Sequence, residues 1–271
     1  MRKLRALVAA LLLTCAAYPA WAAPAEPAAL VRARTSYNAA DYQAAIDAAA
    51  VARRQPEWAD AAALVMGRSY LERYRRNAAA EDLAAAREAL AAVRIDTLKP
   101  RDQLDLNIGL AQALYFGELF GASAELFETA LAGLDLLTPP ERLRLLDWWA
   151  GALDKEALSR PGDRRGPPYA RIIERMEEAL RADPANPVAN YWLAIAARGA
   201  GDLDRAWDAA IAAWIRAGLR RDDTEQLRAD LDRLVEQALI PERARTRVSR
   251  ENEDALTVLR EEWALVKQRW K

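Results

Sequence analysis

The sequence predicts an all-α protein, a solenoid of about five to six antiparallel helix pairs closed by a C-terminal capping helix. Three observations predict it: a composition rich in alanine and poor in turn formers, small residues that recur every 34 positions, and a late stretch of apolar residues spaced by three and four. Hydrophobic residues fill 52% of the 271 positions. Alanine dominates them and loses no side-chain entropy in a helix. Gly (11) and Pro (13) together fall below their usual share of about 12%.

The 34-residue interval separates Ala33 from Gly67, Ile172 from Ala206, Ala179 from Ala213, and the helix-ending positions Pro184 and Gly218. Small residues are needed wherever two helices of a pair cross closely, so their spacing reports the length of one helix-turn-helix unit. The anchors place pairs near residues 26–57, 60–96, 104–135, 140–183 and 187–218. The spacing stretches in the middle. Ala52 to Ala89 implies about three extra residues in the turn at 75–81, and Thr138-Pro139-Pro140 lengthens a linker. The longest insertion is the Pro-, Gly- and Arg-rich stretch 159–168.

Around these anchors Met66, Gly67 and Tyr70 follow one order of large, small and then aromatic or aliphatic residues, as do Leu110, Ala111 and Leu114 in a second helix. Ser123, Phe127 and Ala130 give the small, bulky, alanine order of a following helix. Ala40-Asp41-Tyr42 and Gly201-Asp202-Leu203 look like the turns between two such helices, and Asp183-Pro184 like a unit's end, since Pro cannot continue a helix interior. Over most of residues 26–220 this pattern resembles the tetratricopeptide repeat (TPR) family. The resemblance implies a right-handed solenoid whose first helices line a concave groove for an extended peptide or a helix.

Beyond the fifth pair, Asp222 with Glu225 reads as a capping box opening a helix with Leu227, Leu231, Leu234 and Val235 on one face. A sixth, degenerate pair would follow. Pro241 then starts the last helical region, where Leu256, Leu259, Trp263, Val266 and Trp270 form a stripe suited to sealing the end of a solenoid core. Residues 221–271 are therefore expected to hold a degenerate pair and a cap.

The first residues read differently. Arg2, Lys3 and Arg5 precede an apolar run at 6–17 and a small-x-small site, Ala20-Trp21-Ala22, as in a secretory signal peptide spanning 1–22. The expected location is periplasmic or secreted. The run is shorter than the roughly 20 residues of a membrane span, and no transmembrane segment is expected elsewhere. Cys15 lies inside it, and Thr14 stands where a lipoprotein box has a small residue, so a lipid anchor is not expected. Loss of 1–22 removes three of 39 basic residues and none of 40 acidic ones, leaving a net charge of −4 that disfavours nucleic acid as a partner.

The chain has no histidine, which rules out Ser-His and Cys-His nucleophiles and every His-containing metal site. No Walker-type loop is present, and Gly199-Ala200-Gly201 falls in a turn between helices. No cofactor, metal or catalytic set is expected. A carboxylate glycosidase stays formally open through Asp147 and Asp154, which read better as exposed helix-face charges. Sugar stacking on Trp148, Trp149, Trp192, Trp207 or Trp214 is the companion alternative, although large aromatics at helical spacing usually pack in a core. Arg73-Tyr74-Arg75-Arg76 reads as a solvated insertion turn.

The function expected is therefore non-catalytic binding of a protein or peptide partner. By helix phase the groove would present Arg34, Tyr37 and Asn38; Leu64, Arg68, Leu71 and Glu72; Ile108, Gln112, Tyr115 and Phe116; Asp147 and Asp154; and Tyr191, Ile195 and Arg198. Aromatics and arginines of this kind are enriched at binding hot spots. The list lacks the uniformly basic clamp that a terminal carboxylate would need.

Overall fold

A computed structural model describes residues 25–219, 225–246 and 252–270. The expected signal peptide with Cys15, and Asp222 of the expected capping box, lie outside these residues. Among the described residues every regular element is helical and there is no strand. Five antiparallel pairs follow one another: α1 (Ala28–Asn38) with α2 (Tyr42–Ala52), α3 (Ala59–Asn77) with α4 (Ala80–Ala91), α5 (Pro100–Phe116) with α6 (Phe120–Leu131), α7 (Pro139–Ser159) with α8 (Gly166–Ala182), and α9 (Pro187–Gly199) with α10 (Leu203–Leu219).

The turn inside a pair is made by one repeated device. Ala40, Ala78, Glu118 and Gly201 each adopt a left-handed backbone, with φ of 60°, 54°, 61° and 87°. After α1 the Asp41 amide donates to the Ser36 carbonyl and the Ala40 amide to that of Tyr37. Leu119 and Glu118 repeat this pattern onto Leu114 and Tyr115, and Asp202 and Gly201 onto Ala197 and Arg198. These three are Schellman endings, which satisfy the last carbonyls of the first helix and reverse the chain within a few residues. Ala78 uses the simpler single bond, to the Tyr74 carbonyl. The fourth pair departs from the pattern, with α7 running to Ser159 and a 3₁₀ turn at Gly162–Arg164 before α8.

Each helix packs against its neighbours in sequence, and the first helices of successive pairs also touch, α1 with α3, α3 with α5 and α7 with α9. The small residues sit where the axes come closest. Ala33 and Ala213 are fully buried, and a Cβ added to Gly67 would lie 2.6 Å from the Leu90 Cγ of α4. Two apolar cores result. One gathers Leu30, Leu64, Leu71 and Leu90 with Leu106 and Ala113 of α5. The other holds Leu104 and Ala111 from another flank of α5 and continues through Phe127, Trp149 and Ile172 to Trp263.

Three expectations need correction. The basic run Arg73–Arg76 is not a turn but the last part of α3, because its charges are answered: Arg73 by Asp82 and Gln43, Arg75 by Glu72, and Arg76 by the Tyr42 ring 4.4 Å away. The 138–140 stretch is not merely linker, since Thr138 and Glu141 form a capping box and Pro139 opens α7, where a missing amide costs nothing. Pro241 does not start the final helix. It follows a π-helical turn, Val235–Leu239, that joins α11 (Glu225–Leu234) to α12 (Ile240–Arg245) and removes the clash a proline makes with a regular preceding turn.

The last helix, α13 (Asn252–Arg269), lays Ala255, Leu259 and Trp263 into the larger core, against Trp207 and Trp214. The Trp263 indole donates to Asp232 at 2.7 Å, and Lys267 joins the same carboxylate. Trp270, expected in this stripe, is exposed. Among the described residues no helix is long and apolar enough to cross a membrane.

Candidate functional site

The first helices of four consecutive pairs, α1, α3, α5 and α7, bound a cavity of about 510 Å³. Helical phase decides what each contributes. From α3 come Val65, Arg68, Glu72 and Arg75; from α5, Arg101, Asp105, Ile108 and Gln112; from α7, Glu141, Arg144, Leu145 and Trp148. These follow steps of three and four, so each set occupies one stripe. Arg34, Tyr37 and Asn38 of α1, with Tyr42, close the near end.

Seven residues expected in the groove line this cavity: Arg34, Tyr37, Asn38, Arg68, Glu72, Ile108 and Gln112. Leu64 and Leu71 do not reach the groove. Each is 1% exposed and belongs to the first core, because the stripe of Arg68, Glu72 and Arg75 takes the open face of α3 and turns these leucines inward. Tyr115 and Phe116 stand at the far edge in an aromatic cluster, their ring centroids 5.1 and 5.7 Å from that of Trp148. Arg101, Asp105, Glu141 and Arg144 escaped the sequence reading, and Trp148 was expected there only as a sugar-stacking candidate. The signal for Arg101 and Asp105 was present, since the phase of Ile108 and Gln112 runs straight back to them.

The charges at this end are almost wholly paired. Arg34 grips Asp102 through two hydrogen bonds of 2.9 Å and also holds Glu26. Arg68 meets Asp105 at 2.9 Å and lies over the Tyr37 ring, 4.7 Å from its centroid. Arg101 bridges Asp105, Glu141 and the Leu136 carbonyl. Its bonds to Glu141, helped by the Thr138 amide and hydroxyl and opposed by burial, lower that carboxyl to a pKa of about 2. Burial raises the Tyr37 hydroxyl. Arg144 is exposed and has no ion-pair partner among the described residues.

Tyr115, Phe116, Asp147, Asp154, Tyr191, Ile195 and Arg198, also expected in the groove, do not line this cavity. Asp147 and Asp154 lie on α7, seven residues apart and therefore about 10 Å along one face. Asp147 is exposed, as the sequence suggested, while Asp154 is half-buried, and both have aromatic partners. Asp147 accepts from the Trp192 indole at 2.7 Å and Asp154 from the Tyr169 hydroxyl at 3.3 Å. Asp147 keeps a large open area, yet the surrounding walls desolvate its carboxyl enough to raise its pKa; the indole bond opposes this and Asp230 adds to it. Desolvation raises Asp154 as well, against Tyr169, Lys155 and Arg198.

Tyr191 stands nearby on α9, its hydroxyl pushed to about 12 by burial and then by Asp230, Asp147 and Asp154. Burial with the same two α7 carboxylates raises Tyr115. Ile195 is half-buried against the larger core, and Arg198 pairs with Glu242 at 2.6 Å. The tryptophans are mainly structural: Trp149, Trp192 and Trp207 are buried, and Trp148 and Trp214 partly so.

No family model, curated protein or solved structure matches the chain.

Proposed function

We propose that this chain is an exported, TPR-like right-handed solenoid that acts without catalysis, as an adaptor holding a protein or peptide partner along its concave side. One observation carries the reading: the cavity is bounded by the first helices of four successive pairs and runs across them. Four helices about 9 Å apart span roughly 27 Å, the length of about eight extended residues. A small ligand needs a few converging groups, whereas this surface spreads aromatics, aliphatics and charges along a line. Export is supported by the charged, apolar and small-residue succession in residues 1–22, and the placement of α13 on the larger core supports its role as a cap.

The test is a photo-crosslinking amino acid placed at Gln112, in the groove, or at Asp208, exposed on α10, in protein produced in its native host. A polypeptide captured from position 112 and not from 208 is the expected result. Equal capture from both, or none from 112, would overturn the proposal.

A further inference from the structure

The donors and the acceptors that line the cavity are out of balance. Its lining carries five arginines and three carboxylates, in a chain whose net charge is −1, so the positive surplus is local. All three carboxylates are engaged within the protein: Asp105 by Arg68 and Arg101, Glu141 by Arg101 and Thr138, and Glu72 by Arg75. Three donors are not. The Arg144 guanidinium, the Trp148 indole N–H and the Gln112 amide belong to the same lining and make no hydrogen bond or ion pair among the described residues.

Arg144 is free because its neighbours are occupied, and not for want of them. On a helix a guanidinium meets carboxylates three or four residues away. Glu141 lies three residues before Arg144 on α7 and Asp147 three after it. Both Glu141 oxygens accept from Arg101, and one also accepts from the Thr138 amide and hydroxyl. Asp147 lies outside the cavity lining and accepts from the Trp192 indole. Arginine and an indole N–H can only donate, so what this part of the cavity lacks is an acceptor, and a negative one. Arg144 is also exposed, so a guest meets its charge without first breaking an internal pair, as it would have to do at Arg68 or Arg101.

We propose that the cavity anchors an extended polypeptide by an aspartate or glutamate side chain, held by the Arg144 guanidinium with the Trp148 indole and the Gln112 amide as further donors. The inference rests on the adaptor reading and specifies the partner's chemistry. Charge complementarity selects this occupant: the acids of the lining have their cations already, and the unanswered charge of the cavity is positive. A guanidinium can take one carboxylate through two parallel hydrogen bonds. The lining runs across four helices, so a single carboxylate fills only part of it and leaves the rest for the neighbouring residues of the guest.

The probe is a random twelve-residue peptide library displayed on phage and selected on the purified protein, with fluorescence anisotropy on the enriched peptides. Expected is enrichment of aspartate- or glutamate-containing peptides that weaken in salt and lose about tenfold or more in affinity on Arg144→Gln. Arg53→Gln removes the same charge from an exposed arginine at the end of α2 and should leave them unchanged. Equal losses on the two variants would show diffuse attraction and overturn the anchor. Enriched peptides without acidic residues, or ones insensitive to Arg144→Gln yet displaced by Gln112→Trp, which fills the cavity, would refute the acidic anchor and leave the groove reading standing. Peptides insensitive to both, or no enrichment, would count against both. Free glutarate competing as well as the unlabelled peptide does would overturn the polypeptide in favour of a small carboxylate. Circular dichroism melts confirm that each variant is folded.

Discussion

Glycine at the three non-glycine turn positions, Ala40, Ala78 and Glu118, is expected to stabilise the protein. Each of these residues holds a left-handed backbone that costs an L-amino acid about 1–2 kcal/mol and costs glycine almost nothing. Glycine gives back about 0.4–1 kcal/mol through the greater freedom of the unfolded chain. The net gain is about 0.5–1 kcal/mol per site. The three turns belong to different pairs and share no partners, so a triple variant should gain about 2 kcal/mol. For a chain of this size that is a rise of about 4–8 °C in melting temperature. Gly201→Ala is the converse, with open space around its Cβ, and should lose about 1 kcal/mol from the backbone alone. The assay is guanidinium denaturation followed by circular dichroism at 222 nm, with every resolved transition fitted, because stacked repeats can unfold in steps. An unchanged or lowered midpoint in the triple variant, or no loss in Gly201→Ala, would refute the turn assignment.

Three further expectations concern packing and charge. Gly67→Ala should destabilise by about 1–3 kcal/mol in spite of alanine's better helix propensity, because the new methyl meets the buried Leu90; an equal or raised denaturation midpoint would contradict this. Asp105→Ala removes the carboxylate shared by Arg68 and Arg101 and should cost about 2–3 kcal/mol, read from the same titration. The Glu141 carboxyl falls from its ordinary 4.5 to about 2, so its contribution is complete above about pH 4.5 and is lost as the pH drops toward 2. Glu141→Gln should flatten stability over that interval. Asp147 and Asp154 are raised instead, so charging them opposes folding as the pH climbs past their unfolded values. Asp147→Asn/Asp154→Asn should melt higher than the parent at pH 7, by a margin that narrows toward acid.

The helix pairs were legible because their cause is local. The 34-residue interval anchored the first two and the last two pairs, and the turn residues and small-residue orders between them placed the third, so that all five lie within a few residues of their expected bounds. The basic stretch in α3 misled because arginine is both a sound helix former and a common turn residue, and what held Arg73 in a helix was Asp82 on the next one. Helical phase put Leu64 and Leu71 on the groove by a rotation of about 100°, one residue's step, which separates core from concavity on a helix packed on several sides. The pairing of Arg34 with Asp102 joins residues 68 apart, and nothing near either one in sequence announces it. The unpaired state of Asp154 is likewise a property of the assembled walls and not of any motif.

The position of α5, with one flank in each apolar core, makes it the boundary between an N-terminal and a C-terminal block. The cavity crosses that line, taking Arg34 and Arg68 from one block and Trp148 from the other. A polypeptide seated there would fasten the blocks together, and the curvature it finds would depend on how tightly α5 grips both. Substitutions at Leu106 or Leu104, which sit in the two cores and outside the cavity lining, would then be felt by a guest through the packing of the blocks alone.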